Sequence, residues 1–203
     1  GNVYTTGNFS GSVDFDPGAG IFVLTSAGSY DIFISKLDSA GNFIWAKKIG
    51  GTGNDFGWSI SSDAAGNVYT TGEFRGIVDF DPGLATHNMV SAGNADIFIS
   101  KIDSAGNYVW AKKIGGSGYD FAWNINVDGL SNIYICGSFH STVDFNPDAG
   151  VDNLTSAGND DMFVLKYGFP QSFCGSDIII SNSPYNVYLT ESKTWIITSG
   201  TVL

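Results

Sequence analysis

Gly1-Asn2-Val3-Tyr4-Thr5-Thr6-Gly7 returns as Gly66-Asn67-Val68-Tyr69-Thr70-Thr71-Gly72, a shift of 65 residues. The sequence around it keeps the same step. Asp31-Ile-Phe-Ile-Ser-Lys36 recurs at 96–101 and, as Asp-Met-Phe-Val-Leu-Lys, at 161–166. Val13-Asp-Phe-Asp-Pro17 recurs at 78–82 and, as Val-Asp-Phe-Asn-Pro, at 143–147. From Gly1 to Thr52, 36 of 52 positions are identical one period later, without a gap. A fixed period of this kind marks a chain built from stacked supersecondary units, none of which buries its apolar face alone. The repeat runs to about Tyr167.

The complete unit, residues 51–115, predicts four strands: about Phe56–Ser62, Asn67–Phe74, Asp96–Ile102 and Tyr108–Ile114. Asp63-Ala-Ala-Gly66-Asn67 joins the first pair and Asp103-Ser-Ala-Gly106-Asn107 the second. In both, an Asp caps a type I turn and a Gly supplies the left-handed residue of a hairpin bulge. The connection between the second and third strands is longer. It carries Val78-Asp-Phe-Asp-Pro-Gly83, read as a short strand and turn, then a stretch that varies between units (19–25, 84–90, 149–155) and reads as loop.

In the first strand Phe56, Trp58 and Ile60 alternate with Gly57, Ser59 and Ser61; Phe121, Trp123 and Ile125 repeat the pattern. Period-two alternation predicts one large apolar face packed on a neighbouring unit. Lys47-Lys48 and Lys112-Lys113 on the fourth strand predict an outer edge guarded by charge. Small residues inside and lysines outside fit a propeller blade, so the fold class is all-β: a partial β-propeller, an open arc of four-stranded antiparallel blades. Residues 1–167 hold the blades: 1–50 partial, 51–115 complete, 116–167 lacking the outer strand. Pro170, following the third strand, cannot donate to a ladder. About two and a half units do not close a ring, so a bare face is expected at each end of the arc. In the intact ring an upstream strand would clasp the last blade. Residues 168–176 read as a linker and 177–203 as the truncated start of a C-terminal β-module.

Net charge is −11, with 9 Lys and Arg. This opposes nucleic acid as a partner and docking on anionic lipid. No apolar run reaches the length of a membrane span. The 27 Gly and 15 Phe suit a turn-rich β-protein.

Asp-x-Phe-x-x-Lys-x-Asp-x-x-Gly-Asn, Trp110 with Gly115-Gly116, and Asp63-x-x-Gly-Asn-Val-Tyr-x-Thr-Gly72 together resemble the seven-bladed β-propeller repeat family of bacteria. The resemblance covers residues 1 to about 167; the Asp-Phe-Asp-Pro-Gly insertion departs from the family's pattern. It implies a large secreted or cell-surface protein without a defined activity. The segment after Asp177 resembles a small β-module of secreted Gram-negative proteins bearing sorting signals.

Asp14/Asp16 and Asp79/Asp81, with Asp144, place two acids on one side of an extended segment, the beginning of a calcium site. The competing reading, turn capping, is favoured because Asn146 replaces the second acid in the third unit. Calcium is the single cofactor this pattern suggests. The aromatic residues Phe56, Trp58, Phe121 and Trp123 read as core before carbohydrate platform. Asn54 and Tyr119, in loops before the first strand, are the ligand-contact candidates. His87 and His140 have no ligand-spaced partner. No Gly-x-Ser-x-Gly, phosphate-loop or His-Glu-x-x-His motif occurs, and Gly50-Gly51-Thr52-Gly53 precedes a strand rather than a helix. Cys136 and Cys174 leave three readings: a bridge fastening the linker to the last blade, a buried thiol at 136, or a Cys174 pairing beyond Leu203. The expected function is a non-catalytic extracellular or cell-surface module for binding, adhesion or scaffolding. Its partners would be a glycan or protein and the remaining blades of the same chain. The alternative is a propeller-type lyase or hydrolase with its site at the channel mouth.

Overall fold

A computed structural model describes residues 1–168 continuously and, beyond them, strands at 177–179, 185–189 and 195–199. Among the described residues there are strands and turns and no helix. The first unit comprises β1 (Val3–Phe9), β2 (Ser12–Asp14), β3 (Val23–Thr25), β4 (Asp31–Leu37) and β5 (Phe43–Gly51). The second comprises β6 (Phe56–Ser62), β7 (Val68–Phe74), β8 (Ile77–Asp79), β9 (Asn88–Val90), β10 (Asp96–Ile102) and β11 (Tyr108–Gly116). The third comprises β12 (Phe121–Val127), β13 (Ile133–Asp144) and β14 (Asn153–Tyr167). The blade sheets run β1-β4-β5, β6-β7-β10-β11 and β12-β13-β14, all antiparallel.

The turn chemistry is the same at four places. Asp63 Oδ1 accepts the N–H groups of Ala65 and Asn67, and its Oδ2 accepts the Asn67 amide. Asp38, Asp103 and Asp128 do likewise. The left-handed position is Gly41, Gly66 and Gly106 at φ +85°, +80° and +84°. In the fourth turn it is Ser131 at φ 63°, a conformation that strains an L side chain.

The segment between the second and third strands is a hairpin, β2 with β3 and β8 with β9. In the third unit the same pairing, Val143 with Leu154, is continuous with the long strands β13 and β14. The stretches expected as loops therefore each carry a strand. The ends of the hairpin are tied by one carboxylate: Asp14 Oδ1 accepts the N–H of Asp16 and of Phe22.

Units also hydrogen-bond to each other. Gly50 and Gly51 of β5 pair with Asp79 and Val78 of β8, and Gly115 and Gly116 of β11 pair with Asp144 and Val143 of β13. A Cβ on Gly51 would meet the Ile77 carbonyl oxygen, and one on Gly116 the Thr142 carbonyl oxygen. This close approach accounts for the repeated Gly-Gly. It also corrects the reading of the fourth strand, whose end is paired with the next unit. Its lysines meet acids: Lys48 lies 3.4 Å from Asp31 and Lys113 3.2 Å from Asp96, both carboxylates fully buried. Lys112 lies 2.8 Å from Asp148.

Each blade packs a phenylalanine face on the isoleucine face of the blade before it. Phe74, Phe80 and Phe98 meet Ile32, Ile34 and Ile49 in one core. Phe139, Phe145 and Phe163 meet Ile97, Ile99 and Ile114 in the next. The corresponding face of the first unit carries Phe9, Phe15 and Phe33 and opens into a cavity of about 430 Å³. At the other end Met162, the counterpart of Ile97, is exposed. Two faces of the blade stack are thus uncovered, and the fold is an arc of a β-propeller.

A short strand, β15 (Asp177–Ile179), lies antiparallel on β14 with Leu165 opposite Ile178. The third unit therefore has a three-residue partner where its outer strand was expected to be missing. An unpaired edge offers a row of donors and acceptors to any extended segment nearby. β16 (Tyr185–Leu189) and β17 (Trp195–Ser199) form an antiparallel pair. The linker reading of 169–176 lies outside the described residues.

Candidate binding rim

The innermost strands do not alternate simply. On β6, Gly57 pairs with Gly72 of β7, and the next pair is Ser59 with Thr71, so Trp58 is the extra residue of a β-bulge. On β12, Ala122 pairs with Gly137 and Asn124 with Cys136, which makes Trp123 the extra residue. A bulge reverses the parity of the strand beyond it. Gly57 therefore shares a side with Ile60, facing the first unit: a Cβ at 57 would meet Thr6 Oγ1 and Ile32, and Ile60 packs against the core there. Ser59 and Ser61 face the third unit and accept the N–H groups of Ile125 and Val127 at 3.1 and 3.2 Å. The bulge sites also need glycine opposite. A Cβ on Gly72 would collide with the Phe56 carbonyl oxygen, and one on Gly137 with that of Phe121.

This corrects the reading of the tryptophans as core. Trp58 is 52% exposed and Trp123 49%. Aromatic rings stack beside them at the inner rim. Tyr30 stacks on Phe56 with centroids 5.7 Å apart, and Phe56 stacks on Trp58 at 5.8 Å and 16°. In the next unit Tyr119 stacks on Phe121 at 6.1 Å and 15°. The ring above the first-strand Phe comes from the preceding unit in one case and from the loop before β12 in the other.

Both loop candidates lie at this rim. Asn54 bridges in parallel to Tyr30, and Tyr119 to Ala95. Asn54 Oδ1 is buried without a hydrogen-bond partner. Tyr119 is 43% exposed and lies under the Arg75 guanidinium, 5.6 Å from the ring centroid. Arg75 Nη2 reaches Glu73 Oε1 at 3.2 Å. Glu73 is buried, and burial pushes its carboxyl above the ordinary glutamate range against the pull of Arg75 and of the Trp58 indole.

Glu73 and Arg75 were not singled out in the sequence, although a signal exists there. Gly7, Gly72 and Gly137 are constant, as are Phe9, Phe74 and Phe139, while the residues between and after them change. Glu73 corresponds to Asn8 and Ser138, and Arg75 to Ser10 and His140. Beneath them, Asp55 accepts the Gly51 and Arg75 N–H groups, and Asp120 those of Gly116 and His140. These acids fix the end of the second strand to the loop before the first. Burial, with Asp31 and Asp96 nearby adding to it, raises Asp55 and Asp120 to about 6, against the pull of those N–H groups.

The remaining candidates are elsewhere. Asp79 Oδ1 accepts the N–H groups of Asp81 and His87, and Asp144 Oδ1 those of Asn146 and Asp152, as Asp14 does in its hairpin. Asp16 and Asp81 each accept the N–H two residues on. The carboxylates thus cap the insertion. Among the described residues no three His, Cys, Asp or Glu side chains gather to hold a metal ion. His87 stacks on Tyr108, and His140 lies 3.4 Å from Asp160. Cys136 is half-buried on β13, while Cys174, and with it any bridge, lies outside the described residues.

Stacked antiparallel units with an inner rim of bulged strands define the class: a β-propeller arc. The β-propeller repeat (SBBP) family model matches residues 109–141, from the fourth strand of one unit through the first two strands of the next. The chain is 27% identical over 167 residues to Regulatory protein FlaEY of Caulobacter vibrioides, covering 77% of this chain and 18% of that protein. It is 31% identical over 110 residues to an uncharacterized WD repeat-containing protein, L264, of Acanthamoeba polyphaga mimivirus, covering 47% of this chain and 8% of that one. The chain spans less than a fifth of either relative.

Proposed function

We propose that this chain is a non-catalytic recognition segment of a secreted or cell-surface protein, with blades of the bacterial seven-bladed repeat type presenting a binding rim. The observation that carries the reading is the pair of bulges that turn Trp58 and Trp123 out of the blade stack at equivalent positions. An exposed indole on a rigid strand supplies a large contact area with little conformational entropy to lose on binding. Bulges that re-aim a side chain are features of functional edges rather than of plain packing. The acidic charge of −11 directs the reading away from nucleic acid and anionic membrane, toward glycan or protein partners. The test is binding of the purified chain to arrays of immobilised glycans and purified surface proteins, beside the Trp58→Ala/Trp123→Ala variant. Retention by the native chain and its loss in a folded double variant are expected. Equal retention by both would refute the reading.

A further inference from the structure

The rim between the second and third units differs from its sister sites in carrying a charged pair that the fold does not require. An ion pair between a buried Glu73 and a part-exposed Arg75 gains little stability, because desolvation of the carboxylate offsets the attraction. The first unit places Asn8 and Ser10 at these positions and the third Ser138 and His140, at the end of the same repeated strand. Glu73 and Arg75 are therefore candidates for a role beyond folding. We infer that Trp58, Glu73, Arg75 and Tyr119, with Asn54, form a subsite for a neutral carbohydrate; this rests on the recognition reading above.

The chemistry selects the ligand class. Trp58, about half exposed, offers a flat apolar face beside the pair, while the Tyr119 ring, with Arg75 over it and Phe121 stacked against it, holds the guanidinium in place. Between them stand acceptors and donors with spare capacity. Glu73 accepts from Arg75 and from the Trp58 indole and keeps further lone pairs, Asn54 Oδ1 has no partner, and neither has the buried Arg75 Nε. Gly53 lies against the Arg75 carbonyl, so the loop bearing Asn54 adjoins the pair. A hydroxyl both donates and accepts, so adjacent sugar hydroxyls match a mixed set that a pure donor or acceptor does not. Charge decides the rest. The pair is internally neutralised; an anion meets Glu73 in a chain of net charge −11, and a cation finds the Tyr119 face already taken by Arg75.

The experiment uses the full 203-residue chain and titrates tryptophan fluorescence and heat with cellohexaose, maltohexaose and N-acetylated chitohexaose. Hexagalacturonate and deacetylated chitosan hexamer serve as the charged controls. A saturable response to a neutral hexamer is expected, weakened at least about tenfold, which is 1.4 kcal/mol, in Trp58→Ala and in Glu73→Gln/Arg75→Met. The double variant removes both charges together, so the fold keeps no unpaired buried ion. Leu130→Ala, an exposed side chain in the turn between β12 and β13, should stay within about threefold of the native chain. Unchanged binding in the Trp58 or pair variants overturns the subsite, as does a response confined to charged probes. If no neutral probe binds while array binding still depends on the tryptophans, the subsite is wrong and the recognition reading stands.

Discussion

Phe33, Phe98 and Phe163 occupy one repeat position in three environments, which makes truncating each to Ala a test of the blade stack. Phe98 is fully buried between Phe80, with centroids 5.2 Å apart, and the isoleucine face of the first unit. Phe163 is 1% exposed in the same setting one unit on. Phe33 touches Phe15 at 4.9 Å but lines the open cavity of the uncovered face. Truncating a fully buried Phe costs about 3–5 kcal/mol through lost transfer energy and the cavity left behind. The part-buried Phe33 loses about half of a normal side-chain burial, about 1 kcal/mol. In a chain of this size 1 kcal/mol moves the melting temperature by about 2–4 °C. Thermal unfolding followed by circular dichroism should therefore show Phe98→Ala and Phe163→Ala melting about 6 °C lower or more, and Phe33→Ala within about 4 °C of the native chain. Losses equal within about 1 kcal/mol at all three positions would refute the packing of phenylalanine face on isoleucine face.

Three further outcomes follow from particular residues. Ser131→Gly removes a left-handed serine and should stabilise by up to about 1 kcal/mol in urea unfolding, whereas Gly66→Ser should destabilise. Gly116→Ala forces a methyl group onto the Thr142 carbonyl and should weaken the joint between the second and third units by about 2 kcal/mol or more, read as a lower midpoint. Asp55 and Asp120 titrate at about 6 in the folded chain, above the unfolded value of 3.8, so their favourable contribution is complete below pH 3.8 and is lost as pH rises through 6. Asp38, Asp63, Asp103 and Asp128 are held low by their Asn partners, and that contribution is lost as pH falls below 3.8. A melting temperature that peaks between about pH 4 and 5 and falls toward pH 7 is expected; a steady rise from pH 4 to 7 would contradict it.

The blades were legible because their signals are local. The 65-residue step, the Asp-x-x-Gly-Asn turns and the apolar third strand each act within a few residues, and the strands lie where these place them. What was not legible depended on contacts between units. Phe56-Gly-Trp-Ser-Ile60 reads as clean alternation, yet the bulge at Trp58 breaks its parity, and the cause is on another strand, where Gly72 leaves room for the Phe56 carbonyl. Gly50-Gly51 follows the fourth strand in the sequence, and its pairing with the next unit's hairpin is a contact between units. Lys48 and Lys113 read as edge charges because Asp31 and Asp96 look like strand-starting residues, and their burial is a tertiary fact. Asn54 and Tyr119 were found by their place before the first strand. Glu73 and Arg75 carry no motif, and their one signal is the departure from the repeat beside constant glycine and phenylalanine.

The recognition reading stands on two indoles leaving the blade stack, and that can be measured without knowing any ligand. Nitrogen-15 indole spectra of the chain, assigned by single Trp→Phe variants and recorded with a soluble paramagnetic agent, report the solvent access of each ring. Trp58 and Trp123, about half exposed in the bulges, should be strongly broadened. Trp45, 9% exposed and donating to the Ser104 carbonyl at 3.3 Å, should be protected. Trp58 and Trp123 signals as sharp as that of Trp45 would mean that the strands alternate without bulges and that the rim presents no exposed indole.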